Sequence, residues 1–242
     1  MVFKRKINAK SINLIIEFIW FIFTNIKTNK AFHLLYLLKI IKMKPIVIII
    51  TLLISSFGIS QTNKELIKEI EKVQHELNEE YSNPETSILD SLDQLAFMGL
   101  KFYPIDLKFR VAAKFVRTPD EKPFLMKTST ERLPEYVKYG EAHFTIDEKD
   151  LVLSIFQSTN HENEEGYEDY LFLPYTDYTS GDGSYGGGKY LDFKIPEGGT
   201  IVIDFNKAYN PYCAYSHRYS CPIPPEENDL NLRIEAGVKA YK

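Results

Sequence analysis

Beyond Lys44 the sequence has no cluster of lysine or arginine, and that absence removes a class of partners. Residues 1–60 hold nine of the 29 basic residues and a single acid, Glu17, so the rest of the chain sets 20 bases against 32 acids, a net charge near −12. A protein that grips a phosphate backbone presents a basic face that releases counterions, so an acidic body argues against nucleic acid as a partner. Only two cysteines are present, Cys213 and Cys221, so a disulfide within the chain has a single pairing. The apolar run Pro45–Ile54 is shorter than the roughly 20 residues a membrane-crossing helix needs. There is no internal repeat, and no linker divides the 182 residues after Ser60; that length is ample for one core.

What is present begins with a leader. Met43-Lys44, the apolar run, and Ser55 to Gln61 with small residues at Gly58 and Ser60 form the three parts of a secretory signal, with a cut expected between Ser60 and Gln61. Left uncut, and extended through Phe57 to Ile59, residues 43–60 would be a membrane anchor. The chain is therefore expected to be exported, periplasmic or otherwise extracytoplasmic, touching membrane only through this segment. Residues 1–42 do not fit a signal, because they place apolar segments at Ile12–Phe23 and Leu34–Ile41 in front of a complete one. Two readings stand: an extra membrane-associated segment, or a true start at Met43 with upstream sequence that is not part of the protein.

Residues 61–100 read as a helical lead-in. Leu66, Ile70, Val73 and Leu77 form one stripe of a 3.6-residue period. Asn83-Pro84 has the form of a helix start, Ile88, Leu92 and Leu95 of an apolar stripe, and Gly99 of a stop. From Leu107 the period changes to two: Leu107, Phe109, Val111, Ala113 and Phe115 alternate with mostly polar residues. The alternation recurs at Ala142-Phe144-Ile146, Leu151-Leu153-Ile155, Ile201-Ile203-Phe205 and Leu230-Leu232-Ile234, with a hairpin loop expected at Asp147 to Asp150. Residues 101–242 are thus expected to be a mainly β domain, an antiparallel sandwich or barrel.

The chemistry is crowded between Phe172 and Asn228. The stretch holds the turn-forming residues Asp177 to Gly183, the run Gly186-Gly187-Gly188, and both cysteines. Its Gly181-Asp182-Gly183-Ser184-Tyr185-Gly186 spells G-x-G-x-x-G, and Gly183 to Lys189 spells G-x-x-x-x-G-K. Both patterns need a following helix, and the second a Ser or Thr after the lysine. Here Tyr190 follows and the next stretch reads as a strand interrupted by Pro196, so a tightly turning loop is expected instead of a nucleotide site, with an oxyanion or phosphate cradle of backbone N–H groups as a weaker alternative. In an exported protein two cysteines eight apart most often pair, closing a loop worth roughly 2.5 kcal/mol on the chain-entropy estimate. The spacing Cys213-x3-His217-x3-Cys221 leaves a metal open as a weaker alternative, without a fourth ligand, and a reactive thiol as another. Asp204 and Asn206 share the polar face of one strand. They suit acid–base work if a second carboxylate, Asp177 or Glu226, comes near, and otherwise hold the following loop as Asx turns. His75, His143 and His161 suggest no site.

Tyr185-Gly186-Gly187-Gly188-Lys189-Tyr190, Asp204 to Tyr215 (DFNKAYNPYCAY) and Cys221 to Asn228 (CPIPPEEN) resemble an uncharacterised bacterial family, domain of unknown function 1684. The similarity reaches back through Phe102 to Asp106 and Gly166 to Leu171, covering about residues 80–242. The resemblance implies no known reaction. Long members carry an additional N-terminal β-rich half, so this chain looks like the short, exported form. The family motif falls on Asp177, Gly181, Tyr185, Gly186, Gly188, Lys189, Asp204, Asn206, Tyr209, Asn210, Cys213, Cys221 and Asn228; His217 lies outside it, which weakens the metal alternative.

The expected function is binding of a small polar ligand in a pocket between the glycine loop and the Asp204–Asn228 segment. Asp177, Tyr185, Lys189, Asp204, Asn206, Tyr209, Asn210 and Asn228 are the candidate contacts, with Tyr190, Tyr212 and Tyr215 as further aromatics. A hydrolase using Asp204 or Cys213 and a structural envelope protein are the alternatives. No cofactor is expected.

Overall fold

The alternation of apolar and polar residues translates into one antiparallel sheet. The computed structural model describes residues 45–160 and 165–241 with the isolated positions 13, 16, 17 and 20, and side chains of its long helix from Thr62 onward. Internal contacts divide the chain into two units, Met1–Ser60 and Gln61–Lys242; the fold and the site lie in the second. Most of Ile12–Phe23, all of Leu34–Ile41, and the side chains of the expected signal lie outside the described residues. Among the described residues no helix is long and apolar enough to cross a membrane.

Helix α1 (Pro45–Ser82) turns its expected stripe inward, with Ile70 and Tyr81 fully buried. The second expected helix is not formed as drawn. Asn83 closes a turn instead, its Oδ1 accepting from the Glu85 N–H and its carbonyl from Thr86 and Ser87, which satisfies locally the groups a helix would use. Ile88 and Leu89 then pack with Tyr81, Tyr215 and Val238. What remains is the one-turn α2 (Ser91–Leu95), whose Leu92 and Leu95 face solvent. Gly99 does not stop it; α2 has already ended, and Gly99 sits at φ +103° where the chain turns back and the Leu100 N–H reaches Asn78 Oδ1.

The strands are β1 (Arg110–Arg117), β2 (Phe124–Leu125), β3 (Glu135–Ile146), β4 (Lys149–Ser158), β5 (Tyr170–Tyr175), β6 (Lys189–Lys194) and β7 (Thr200–Asp204). They make a seven-stranded sheet in the order β6-β5-β4-β3-β1-β7, with β2 beside β3, curled into a half-barrel. The hairpin expected between β3 and β4 is a two-residue turn: Asp147 and Glu148 both have positive φ (48° and 62°), the backbone twist that matches paired right-twisted strands. Phe109, Ala113, Phe115, Phe144, Ile146, Leu153, Ile155, Leu171, Leu173, Leu191, Ile201 and Ile203 point into the main core.

Leu230, Leu232 and Ile234 are buried as their alternation demands, yet they are not a strand of the sheet. The Leu232 and Ala236 N–H groups fold back onto the carbonyls of Leu230 and Ile234, and the carbonyls of Ile234 and Ala236 accept from a buried lysine instead of a neighbouring strand. The segment pairs only briefly with the chain leaving β5, the Leu230 N–H donating to the Thr176 carbonyl and the Leu232 carbonyl accepting from the Tyr178 N–H, so period two sorts the side chains without a regular ladder.

The β5–β6 hairpin separates two environments. Leu171, Leu173 and Tyr175 of β5, and Lys189 and Leu191 of β6, face the main core. Tyr170, Phe172, Tyr190 and Asp192 project from the opposite face, where Phe172 and Tyr190 join Met126, Phe156 and Cys221 in a second apolar cluster.

Candidate functional site

The glycine loop serves the core. Gly181, Gly183 and Gly188 adopt φ of +80°, +110° and +87°, conformations that side chains rarely take. At Gly188 a Cβ would also collide with the Tyr175 carbonyl and Pro224, so this residue lets β6 start directly against β5. Lys189 follows and turns inward, fully buried. Its Nζ donates to Thr179 Oγ1 (3.1 Å) and to the carbonyls of Ile234 (3.2 Å) and Ala236 (3.3 Å). Those three acceptors use all three ammonium hydrogens. Asp177 Oδ2 therefore faces the charge at 3.3 Å without a hydrogen bond of its own, while Oδ1 is held by the Thr179 N–H and hydroxyl. Burial pulls the Lys189 pKa down, and Asp177 pushes it back up.

Three more candidates are internal clips. Asn228 Oδ1 accepts from the Ser154 N–H (2.8 Å), and its Nδ2 donates to the carbonyls of Ser154 (2.8 Å) and Pro174 (2.7 Å). It thus stands in for ladder bonds between β4 and β5, which pair directly only around Phe156 and Phe172. Asn206 exchanges hydrogen bonds with the Asp106 backbone and donates to Asp204 Oδ1, which caps the short turn Phe205–Lys207. The other Asp204 oxygen lies 3.5 Å from Arg110 Nε. Asn210 ties the Lys239 carbonyl to the Tyr215 hydroxyl. Asn228 and Asn206 commit both ends of their amides inside the fold, and Asn210 its Nδ2, while Asn210 Oδ1 is buried without a hydrogen-bond partner; these side chains are positioned to hold the fold.

The opposite face of the hairpin carries an open cleft of about 530 Å³. Its walls come from Tyr136, Tyr167, Tyr170, Phe172, Tyr190, Tyr209 and Tyr212, and its charged groups are Asp192 and Glu80. Among the described residues no lysine or arginine lines it. The Asp192 carboxylate receives the Tyr170 hydroxyl at 2.6 Å and the Tyr209 hydroxyl at 2.8 Å to each oxygen. Asp192 is exposed and opens on the cleft, with aromatic rings beside it. Desolvation raises its pKa, against the lowering effect of the two tyrosine hydrogen bonds. The phenols of Tyr170, Tyr190 and Tyr209 are pushed well above their ordinary value by burial, and that of Tyr212 to about 12, so all of them are hydrogen-bond donors at neutral pH. Tyr190 spends its hydroxyl on the Pro222 carbonyl, and Tyr212 reaches Glu80 at 3.4 Å. A smaller concavity of about 290 Å³ lies among Pro104, Asp106, Lys108, Phe109, Arg233 and Glu235. There Arg233 already pairs with Asp182 and Glu235, and Lys108 with Asp147, so little unspent charge faces outward.

Cys213 and Cys221 are adjacent but free. The Cys213 N–H points at Cys221 Sγ (3.2 Å), and the Tyr185 hydroxyl lies 3.8 Å from Cys213 Sγ. The expected bridge is therefore not formed in this structure, although its two ends are side by side. His217 is exposed, and among the described residues no three His, Cys, Asp or Glu side chains converge as metal ligands would.

Of the eight candidate ligand contacts, only Tyr209 lines the cleft; Tyr190 and Tyr212 join it from the aromatic set. The Tyr209–Pro222 part of the expected segment supplies one wall, and the glycine loop supplies none. Sequence reasoning missed Asp192, Tyr170, Tyr136 and Glu80. For Asp192 the signal was available: in Lys189-Tyr190-Leu191-Asp192-Phe193, a period of two puts Tyr190 and Asp192 together, away from the core.

The description "Protein of unknown function (DUF1684)" matches residues 95–239. Among solved structures, an uncharacterized protein of Haloarcula marismortui determined by solution NMR is 26% identical, with a TM-score of 0.58 over 74% of this chain and 96% of that one. No curated protein matches the chain.

Proposed function

Since the chain belongs to the DUF1684 family of proteins of unknown function, which names no reaction or ligand, we propose from the cleft itself that the domain binds a small organic cation, an amine or quaternary ammonium compound. The observation that carries this reading is the Asp192 carboxylate, presented by Tyr170 and Tyr209 among seven aromatic rings, with no basic residue among the described residues of the lining. A cation gains from the ring faces, by about 0.5–2 kcal/mol for each well-placed ring, and from the negative charge of the Asp192 carboxylate beside them. An anionic ligand would meet Asp192 and Glu80, while the nearby Arg132 is engaged with Ser220. The Asp204 form of the hydrolase alternative has less support, because Asp204 is spent as a turn cap beside Arg110.

The leader-like segment Met43–Gln61 supports placing this binding outside the cytoplasm. The proximity of Cys213 to Cys221 supports their pairing there.

Calorimetric titration with benzyltrimethylammonium, its neutral tert-butyl isostere and benzoate tests the reading. The cation is expected to bind, the isostere at least tenfold more weakly, and benzoate not at all, with Asp192→Asn removing the preference for the cation. Equal binding of cation and isostere, or binding of benzoate, would sink it.

A further inference from the structure

The cysteine pair has the asymmetry of a redox couple. Cys213 sits in the short turn Tyr212–Ala214 and is partly exposed, whereas Cys221 is buried among Met126, Phe156, Phe172 and Tyr190. Their surroundings are fixed on both sides. The Cys221 N–H donates to Ser129 Oγ and its carbonyl accepts from the Ser129 N–H, and the flanking Pro222 bridges to Thr128. Cys213 is steered by its own N–H onto Cys221 Sγ and by Tyr185, which the glycine loop delivers to within 3.8 Å of its sulfur.

We propose that Cys213 and Cys221 form a reversible dithiol–disulfide couple that reacts with small organic disulfides, Cys213 attacking and Cys221 resolving. The Cys213 thiolate attacks one sulfur of R–S–S–R, forming Cys213–S–S–R and releasing RS⁻. Cys221, once deprotonated, attacks the Cys213 sulfur, closes the intramolecular disulfide and releases the second RS⁻. The two protein protons end on two RSH, so one external disulfide is reduced as one internal disulfide forms. The oxidised state is the bridge expected of an exported chain; the new element is that it opens and closes in exchange.

Electrostatics agree with that division of labour. Donation from Cys221 lowers the Cys213 pKa to about 6, helped by Tyr185 and Ser129 and opposed by burial. Cys221, which holds the proton and is buried, is pushed far up. A thiol near 6 is half ionised at pH 6, some 150-fold more than an ordinary cysteine. Its lower basicity returns about tenfold of that advantage, leaving a net gain of roughly tenfold.

Reduced full-length protein is incubated at pH 6 with 2-hydroxyethyl disulfide and followed by intact mass. Wild type is expected to become two hydrogens lighter without accumulating an adduct. Cys221→Ser should stop at a single adduct mapped to Cys213, formed about tenfold faster than on an unstructured cysteine peptide, and Cys213→Ser should react more slowly than the peptide. Iodoacetamide mapping on wild type needs no variant to fold, and should show Cys213 alkylated first with a midpoint near pH 6. The oxidised protein should equilibrate with glutathione. First attack at Cys221, a Cys213 no faster than the peptide, or a bridge that glutathione cannot open would each overturn the proposal.

Discussion

Asp177 Oδ2 and Lys189 Nζ lie 3.3 Å apart with both side chains wholly excluded from solvent. The pair crosses the loop that the glycines shape: Asp177 stands at its entrance, Lys189 at its exit, and Thr179 hydrogen-bonds to both. Because Lys189 also holds the carbonyls of Ile234 and Ala236, it fastens the C-terminal segment that closes the core. Taking two charges out of water costs more than their attraction returns unless the hydrogens and lone pairs are used; here all three ammonium hydrogens and Asp177 Oδ1 are used, and Oδ2 has only the ammonium charge to face.

Breaking this pair on one side should cost about 3–5 kcal/mol. Asp177→Ala leaves a buried ammonium, and Lys189→Met leaves a buried carboxylate and two carbonyls without a donor. The double variant should be clearly less destabilised than the sum of the singles. Urea denaturation measures all three; additive effects, or singles below about 1 kcal/mol, would mean that the charges do not act as a unit.

Asn228 should behave as a piece of the sheet. Asn228→Ala strips three buried backbone partners at Ser154 and Pro174, each worth roughly 1–3 kcal/mol when left unmet. Asn228→Asp should be similarly harmful, because a carboxylate cannot donate to the two carbonyls. Hydrogen exchange at the Ser154 amide provides the check. Protection there that survives Asn228→Ala would exclude the clip.

Asp192 gives the domain a pH dependence of defined sign. Its folded pKa lies above the unfolded value of about 4, so the folded state holds its proton more tightly. The stability this contributes is complete below the unfolded pKa and lost as pH rises through the folded one. Wild type should thus lose stability relative to Asp192→Asn across that acidic window and then run parallel to it. A cation in the cleft should reverse the trend, binding more tightly as pH rises through the same window and releasing a proton as it does. Parallel stability curves throughout would show that Asp192 titrates normally.

Much of the fold was legible because a strand's side chains alternate whatever its neighbours are. The apolar positions of β1, β3, β4 and β7 follow directly from the period of two, and so does a hairpin within Asp147 to Asp150, which the structure narrows to the turn Asp147-Glu148. The stripe on α1 was legible for the matching helical reason. The site was legible only in outline. Tyr190, Tyr209 and Tyr212 were visible as aromatics in a chemistry-rich stretch, but a polar residue near a glycine loop reads the same whether it faces a ligand or a core.

The sequence by itself determined which residues share a face, that the body is antiparallel β, and its resemblance to a family of unknown function. Tertiary structure decided what each face meets. Lys189 and Asp192 lie three residues apart on one strand, and only closure of distant pieces makes one a buried anchor and the other the charged group of a cleft. For Lys189 those pieces are Asp177, Thr179, Ile234 and Ala236; for Asp192 they are Tyr170 and Tyr209, with Tyr136 and Glu80 completing the cleft. Local periodicity fixes the direction of a side chain because it depends on the strand's own backbone. Partners, burial and charge state depend on contacts across the chain, and those exist only once it has folded.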